Sequence, residues 1–474
     1  MTPRSRVSPK VSDHAAWPPG ARSLALQALL MIEEREAFAD EVLGRILGKV
    51  LPDARDRALT FELVYGVLRH RTALDWRLEH VADRPLQRLP SFVLNALRLG
   101  AYQLLFLSRV PPSAAVNETV ALVKSTGKAT ASSDRDWTGF VNAILRALTR
   151  KPPPPEPDPR IDPVAAWSLR YSCPSWLTER WVGRFGAKAA GTLCRATAVI
   201  PPLTIRANTL RGSRESLADS LTKSGHAVSP TLLSPVGLTL EKSGPVSEFQ
   251  QFTEGLFYVE DEAGQLAAPI LAPQPGERVL DACAAPGGKA THLAALMENR
   301  GTIVALDRSP ARLQLLKDNC QRLGIGIIEP VVADVTKDLT TVAQMREPFD
   351  CILLDAPCSG LGVLRRHPEG KWWKEAAQLE THQARQLLML EQVSRLLRPG
   401  GRLVYSTCST EPDENEDVID QFCSRHAEFQ REPASPWLPE AARDLLTARG
   451  EFSTLFNVHS MDAFFAARLR KADS

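Results

Sequence analysis

Arg278-Val279-Leu280-Asp281-Ala282-Cys283-Ala284-Ala285-Pro286-Gly287-Gly288-Lys289 decides the fold. A short apolar run closes on an acid, crosses a loop of small residues and enters a helical stretch near Ala290. Gly287 and Gly288 let the backbone turn sharply and approach a ligand closely. The first amides of the helix that follows attract negative charge. The same unit recurs downstream. Thr302-Ile303-Val304-Ala305-Leu306 ends at Asp307, Val331-Val332-Ala333 at Asp334, and Cys351-Ile352-Leu353-Leu354 at Asp355. Ser309-Pro310 opens one intervening helix, an N-cap followed by proline at the first helical position. Strands alternating with helices predict an α/β fold, a doubly wound, Rossmann-like parallel sheet over residues 256–472.

Upstream the pattern differs. Leu24, Ala25, Ala28, Leu29 and Ile32 recur at helical spacing, as do Val93, Leu94, Leu97, Ala101 and Leu104. Strand alternation is missing, so residues 18–150 read as an all-α domain. The proline run from Lys151 to Pro159 is a stiff linker over 151–160. Residues 161–255 read as a small α+β module, with strands at Leu203–Arg206 and Val236–Leu240 and a helix from Ser213 to Ser224.

Composition sets outer bounds. The chain has 474 residues, 44% hydrophobic and 24% charged, with a net charge of +2. Those values are ordinary for a globular protein. No apolar run approaches the ~20 residues that span a bilayer. Residues 1–20 are polar with no signal core, so a cytoplasmic location is expected. Eight cysteines are too few for a disulfide scaffold and lack paired zinc spacing, so no metal is expected.

A carboxylate at Asp307 has the spacing at which a dinucleotide fold engages ribose hydroxyls. No pyrophosphate cradle accompanies it. A nucleoside-type cofactor without phosphates fits better, and S-adenosylmethionine is the obvious one. Asp334 then lies near the adenine and Asp355 near the reacting centre. Two cysteines stand beyond apolar runs: Cys358 in Asp355-Ala356-Pro357-Cys358-Ser359-Gly360, and Cys408 in Tyr405-Ser406-Thr407-Cys408-Ser409 after Arg402-Leu403-Val404. C5 of cytosine is a poor nucleophile. A thiolate adding to C6 makes C5 an enamine carbon able to attack an activated methyl group. A second group then helps to remove the C5 proton. Cys173, Cys194, Cys320, Cys351 and Cys423 read as small buried residues, and Cys283 as a thiol packed in the cofactor loop.

The motifs DACAAPGGK (281–289), DAPCSGLGVLRRHPEGKW (355–372) and YSTCSTEPDENEDVI (405–419) resemble the signatures of RNA (cytosine-5) methyltransferases of the Nol/Nop/Sun family. That resemblance implies that Cys408 is the nucleophile and Cys358 assists product release. It also implies that Cys283, Ala284, Ala285, Pro286, Gly287, Gly288 and Lys289, with Asp307, Asp334 and Asp355, contact S-adenosylmethionine, and that Asp355 also touches the cytosine. Ala290 and Ala463 stand where the family often has Thr and Gly. The segment Arg206-Ala207-Asn208 is familiar from the family and has no chemical reading in the sequence. In the N-terminal half, Leu63-Val64-Tyr65-Gly66-Val67-Leu68-Arg69, Ala96–Gln103 and Gly139–Arg146 resemble a NusB-type RNA-binding domain. The fusion is the architecture of bacterial Sun/Fmu enzymes, which implies RNA, specifically 16S ribosomal RNA, as partner.

Arg55, Arg57, Arg69, His70 and Arg71 are candidate phosphate contacts, as are Arg365, Arg366, His367 and Lys371. Trp372 and Trp373 are candidates to stack a displaced base, with one of the two expected in the core. Transfer RNA, 23S ribosomal RNA or DNA as substrate remain alternatives, as does a non-catalytic RNA-binding assembly factor. The oligomeric state is not readable from the sequence.

Overall fold

The computed structural model describes Trp17 and residues 19–129, 136–241 and 244–473. The polar segment 1–16 lies outside the described residues. The chain forms two compact units, Met1–Val199 with Leu364–Lys374, and Ile200–Val363 with Glu375–Ser474.

The first unit is helical: α1 (Ala21–Arg35), α2 (Ala39–Val50), α3 (Ala54–Glu79), α4 (Ser91–Phe106), α5 (Pro112–Ala129), α6 (Thr138–Arg150), α7 (Pro163–Arg170) and α8 (Ser175–Ala196). Helix α4 is its hub, buried continuously from Phe92 to Gln103. Its one buried cation, Arg98, donates two 2.7 Å bonds to Asp75 of α3. Gly66 lets α3 pass close to α4, because a Cβ there would lie 2.0 Å from the Tyr102 ring. Residues 152–158 form no regular structure, as the prolines demand. Helix α7 then starts with an Asp162 N-cap and Pro163. Helices α7 and α8 group with this first unit, apart from the rest of segment 161–255.

The second unit contains two sheets. The smaller is antiparallel, in the order β2-β3-β1-β4, from β1 (Leu203–Ala207), β2 (Val228–Pro230), β3 (Gly237–Leu240) and β4 (Phe257–Val259). It carries α9 (Arg214–Lys223), capped by Ser213 as expected, and the short α10 (Gln250–Thr253).

The larger sheet comprises β5 (Arg278–Asp281), β6 (Thr302–Asp307), β7 (Ile328–Val332), β8 (Phe349–Asp355), β9 (Leu397–Thr407), β10 (Phe429–Glu432), β11 (Phe452–Thr454) and β12 (Phe464–Lys471). Its order is β10-β12-β9-β8-β5-β6-β7, with β11 paired to β12. Helices α11 (Glu262–Leu271), α12 (Gly288–Leu296), α13 (Pro310–Leu323), α14 (Gln378–Ser394) and α15 (Glu416–Arg425) complete it. Strands β5 to β9 pair in parallel, as the alternation predicts. Strands β10 to β12 are antiparallel, so the sheet is mixed rather than wholly parallel. A buried apolar run such as Phe464-Phe465-Ala466-Ala467 reads the same in either direction. Side chains alternate across the sheet: Val279, Ile303 and Leu353 enter one core, and Leu280, Val304 and Leu354 the other.

Strand β5 has β6 on one side and β8 on the other, which makes it a topological switch point. Ligands of such sheets bind outside the carboxyl ends of the strands there. Asp281, Asp307 and Asp355 are the last residues of their strands, and Asp334 lies two residues past β7.

Candidate active site

A pocket of about 220 Å³ opens beyond β5 and β8, walled by Cys283–Pro286, Gly288, Lys289, Asp281, Asp355, and by Tyr258 and Val259 of β4 with Glu260 just after it. The turn into α12 needs its glycines. Gly287 has φ +111°, and a Cβ on Gly288 would sit 3.3 Å from Glu260 Oε1. Lys289 Nζ donates to Asp355 Oδ2 at 2.7 Å, and Ser406 Oγ donates to Asp355 Oδ1 at 2.9 Å. Burial works against the Lys289 charge, but Asp355 and Glu260 outweigh it and hold its pKa above the usual value.

Asp281 is fully buried, and among the described residues neither carboxylate oxygen has a side-chain hydrogen-bond partner, while the Cys283 amide bears on it from the backbone. Burial, followed by the charge of Asp355, pushes its pKa up to about 7. A buried carboxylate with no side-chain donor beside a glycine turn suits a ligand that brings its own donors. S-adenosylmethionine, with ribose hydroxyls and an ammonium group, fits these residues. Because the folded pKa of Asp281 is raised, its neutral form favours folding, and that contribution is lost as pH climbs through about 7. Asp281→Asn should therefore be more stable than wild type at pH 8, by up to about 4 kcal/mol. The gap should close below about pH 4, where both side chains are neutral. Urea denaturation across that range measures it, and a pH-independent gap would contradict the assignment.

Other members of the candidate set stand around this pocket without walling it. Gly287 supplies the turn. Asp307 is buried, accepts from Ser309 N at 2.8 Å and lies 3.4 Å from Arg312. Asp334 accepts from Thr336 N at 2.9 Å and Thr336 Oγ1 at 2.7 Å, which holds its pKa below the usual range.

Several residues of the site carry no signal in the sequence. Arg206 on β1 is buried and donates to Glu260 Oε2 at 2.6 Å, the Gly288 carbonyl at 2.7 Å and Thr291 Oγ1 at 2.9 Å. It therefore ties the small sheet to the glycine turn. Asn208 Nδ2 donates to the Gly255 and Leu323 carbonyls, each at 2.9 Å, bracing the same seam. Only the resemblance over Arg206-Ala207-Asn208 pointed here; Glu414 falls within the motif 405–419 without a role of its own, and Glu260 and Tyr258 carry no signal.

The two cysteines meet. Cys358 Sγ and Cys408 Sγ are 3.4 Å apart, both half-buried. The hydrogen bond to Cys408, then burial and nearby negative charge including Glu414, push the Cys358 thiol well up. Gly362 N donates to the Cys408 carbonyl at 2.8 Å, and a Cβ at Gly362 would meet that oxygen at 2.7 Å. Burial, then Asp281, pushes the Cys283 thiol up as well, which suits a packed neutral thiol. Cys173, Cys194, Cys320 and Cys351 are buried and Cys423 is half-buried, all unbridged.

Residues 268–470 match the model of the 16S rRNA methyltransferase RsmB/F family. Residues 19–150 match the NusB family, and 173–247 the ferredoxin-like domain of RsmF/B-like methyltransferases. The chain is 35% identical over 451 residues to the probable ribosomal RNA small subunit methyltransferase B of Bacillus subtilis (strain 168), covering 95% of this chain and 98% of that protein. The chain belongs to the RsmB/F family of methyltransferases. A second family relative, the probable ribosomal RNA small subunit methyltransferase B of Synechocystis sp., is 38% identical over 455 residues, 95% of this chain and 99% of that one. The crystal structure of PH0851 is similar with a TM-score of 0.81 and 28% identity, over 96% of this chain and 99% of that one.

In this family member, part of the expected RNA surface is interior. Arg365 and Lys371 are buried, and Trp372 Nε1 donates to the Leu68 carbonyl at 2.9 Å. Arg69 is buried too, donating to the Arg365 carbonyl at 3.2 Å. Trp372 and Trp373 pack on the core of the first unit, so Trp372 does not stack a base. Burial lowers the Lys371 pKa to about 8. The expectation for Arg69, Arg365, Lys371 and Trp372 is corrected on this ground. A cationic run looks solvated in one dimension, and only packing reveals that it is covered. Arg55 stays exposed, with Arg57, Arg71, Arg366 and His367 half-buried.

Proposed function

We propose that this protein methylates C5 of a cytosine in 16S ribosomal RNA through a covalent adduct on Cys408. The paired thiols carry this reading, 3.4 Å apart and next to a strand end that walls the cofactor pocket. S-adenosylmethionine is the methyl donor and supplies an electrophilic methyl group. Cys408 adds as thiolate to C6, and the electron pair displaced to C5 makes that carbon nucleophilic. Cys358, a thiol while Cys408 attacks, then releases its own proton to solvent and accepts the C5 proton as a thiolate; the electron pair of the C5–H bond re-forms the C5=C6 double bond and Cys408 leaves as a thiolate. Asp355 is held by Lys289 and Ser406 where it can orient the cytosine. The target base has to be unpaired or flipped out, since C6 is inaccessible inside a stack.

We assign cofactor contact to Cys283–Lys289, Asp307, Asp334 and Asp355, with Asp281 and Glu260 added. RNA binding is assigned to 18–150 and the chemistry to 256–472, with 161–255 between them. We infer a cytoplasmic location from the proposed ribosomal RNA substrate; among the described residues no helix is long and apolar enough to cross a membrane.

Bisulfite sequencing of 16S ribosomal RNA from cells with and without the protein is the direct test. One cytosine should lose its protection when the protein is absent. An unchanged 16S pattern beside a changed transfer RNA or 23S pattern would move the substrate. Asp307→Ala should weaken binding of S-adenosylhomocysteine by about 1–3 kcal/mol, the usual loss for charge-assisted hydrogen bonds. Unchanged affinity by calorimetry would remove Asp307 from the cofactor site.

A further inference from the structure

The β8–β9 ladder stops at Asp355 paired with Ser406, before either cysteine. Beyond that point strand pairing no longer sets the spacing of Cys358 and Cys408, which stand in separate loops. Glu414 lies in the turn Pro412–Glu414 and is fully buried. Its Oε1 accepts from Ser359 N at 2.7 Å and from Gln386 Nε2 at 3.2 Å. Its Oε2 accepts from Ser409 Oγ at 2.5 Å and from Ser359 Oγ. The backbone carbonyl of Glu414 accepts from Tyr405 OH at 2.6 Å. One carboxylate thus gathers donors from the residue after Cys358, the residue after Cys408 and helix α14.

We propose that Glu414 is the positioning residue that sets the spacing of the two cysteine loops. The chemistry explains why an acid stands there. A buried carboxylate is costly unless its acceptor sites are filled, and all four of these donors are neutral. A carboxylate is acceptor-only, so both oxygens face the donors without conflict. Glutamine would keep one acceptor and turn an NH2 toward the two serine hydroxyls. Each anchored serine adjoins its cysteine, so a slip of the carboxylate passes to the thiol with little attenuation.

This inference rests on the two-thiol mechanism above, and its test separates the two. Full-length, reduced protein is treated with dibromobimane, which fluoresces when it joins two neighbouring thiols; Cys358→Ser serves as the blank. Glu414→Gln should bridge more slowly than wild type, and Glu414→Ala more slowly still. Methylation kcat should fall by about 10²-fold, the usual result of an ångström-scale misplacement, with KM for S-adenosylmethionine unchanged. Wild-type bridging rates in the folded variants would overturn the proposal. Slow bridging with full methylation would keep Glu414 as the spacer and overturn the two-thiol mechanism instead. If melting curves show neither variant folded, Ser359→Ala with Ser409→Ala removes the hydroxyl donors, and unchanged bridging there overturns the proposal equally.

Discussion

Cys408→Ala is expected to abolish methylation and to form no covalent complex with RNA, because no other thiolate is assigned to C6. Cys358→Ala is expected to behave differently. Cys408 still adds, and the methyl group still reaches C5. The C5 proton then has no assistant, the Cys408–C6 bond persists, and protein and RNA migrate together on denaturing electrophoresis. The two sulfurs lie 3.4 Å apart, so their positions alone do not choose between them. The thiol pushed well up at Cys358 suits a group that stays protonated while the other attacks. A trapped complex in Cys408→Ala rather than Cys358→Ala would exchange the roles. Activity retained in both variants, with no adduct, would end the covalent mechanism.

Arg206→Met is expected to have the largest effect away from the thiols. Arg206 and Glu260 form an ion pair with side chains only 4% and 9% exposed. Removing the cation leaves a buried carboxylate unpaired, a loss of about 3–5 kcal/mol. The Gly288 carbonyl and Thr291 lose their donor as well, so the glycine turn is released and binding of S-adenosylhomocysteine falls with stability. Arg206→Lys should rescue little, since one ammonium cannot span the partners that a guanidinium fork reaches. Arg206→Met combined with Glu260→Gln should recover much of the loss, because the two residues are directly coupled. Urea denaturation and calorimetry read these outcomes. A fully stable Arg206→Met protein with normal ligand affinity would remove the clamp from the account.

Much of the site was legible because its residues are local to strand ends. Asp281, Asp307 and Asp355 terminate their strands where the apolar runs stop, and Cys408 follows β9 directly. Periodicity and glycine punctuation mark such points in one dimension. Ser213 and Ser309 were readable as helix caps for the same reason, since a cap bonds its own first turn.

The reading was weaker where partners are far apart along the chain. Arg206 meets Glu260 and Gly288, and Asn208 meets Leu323, across separations that no local pattern encodes. Glu414 reaches back to Ser359 in the same way. The cationic run after Cys358 gave the opposite error, since Lys371 and Arg365 are hidden against helices read from the other end of the chain.

By itself, then, the sequence determined the alternating α/β architecture, the helical first segment, the glycine turn into α12 and the placing of Cys358 and Cys408 just past strand ends. These follow from hydrophobic period, turn chemistry and residue type, all short-range properties. Only the tertiary structure decided that the C-terminal strands run antiparallel, that the thiols stand 3.4 Å apart and that Asp281 is buried with no side-chain partner among the described residues. Strand direction, sulfur spacing and desolvation depend on which distant segments pack together, and burial energy is a property of that packing rather than of any one stretch of chain.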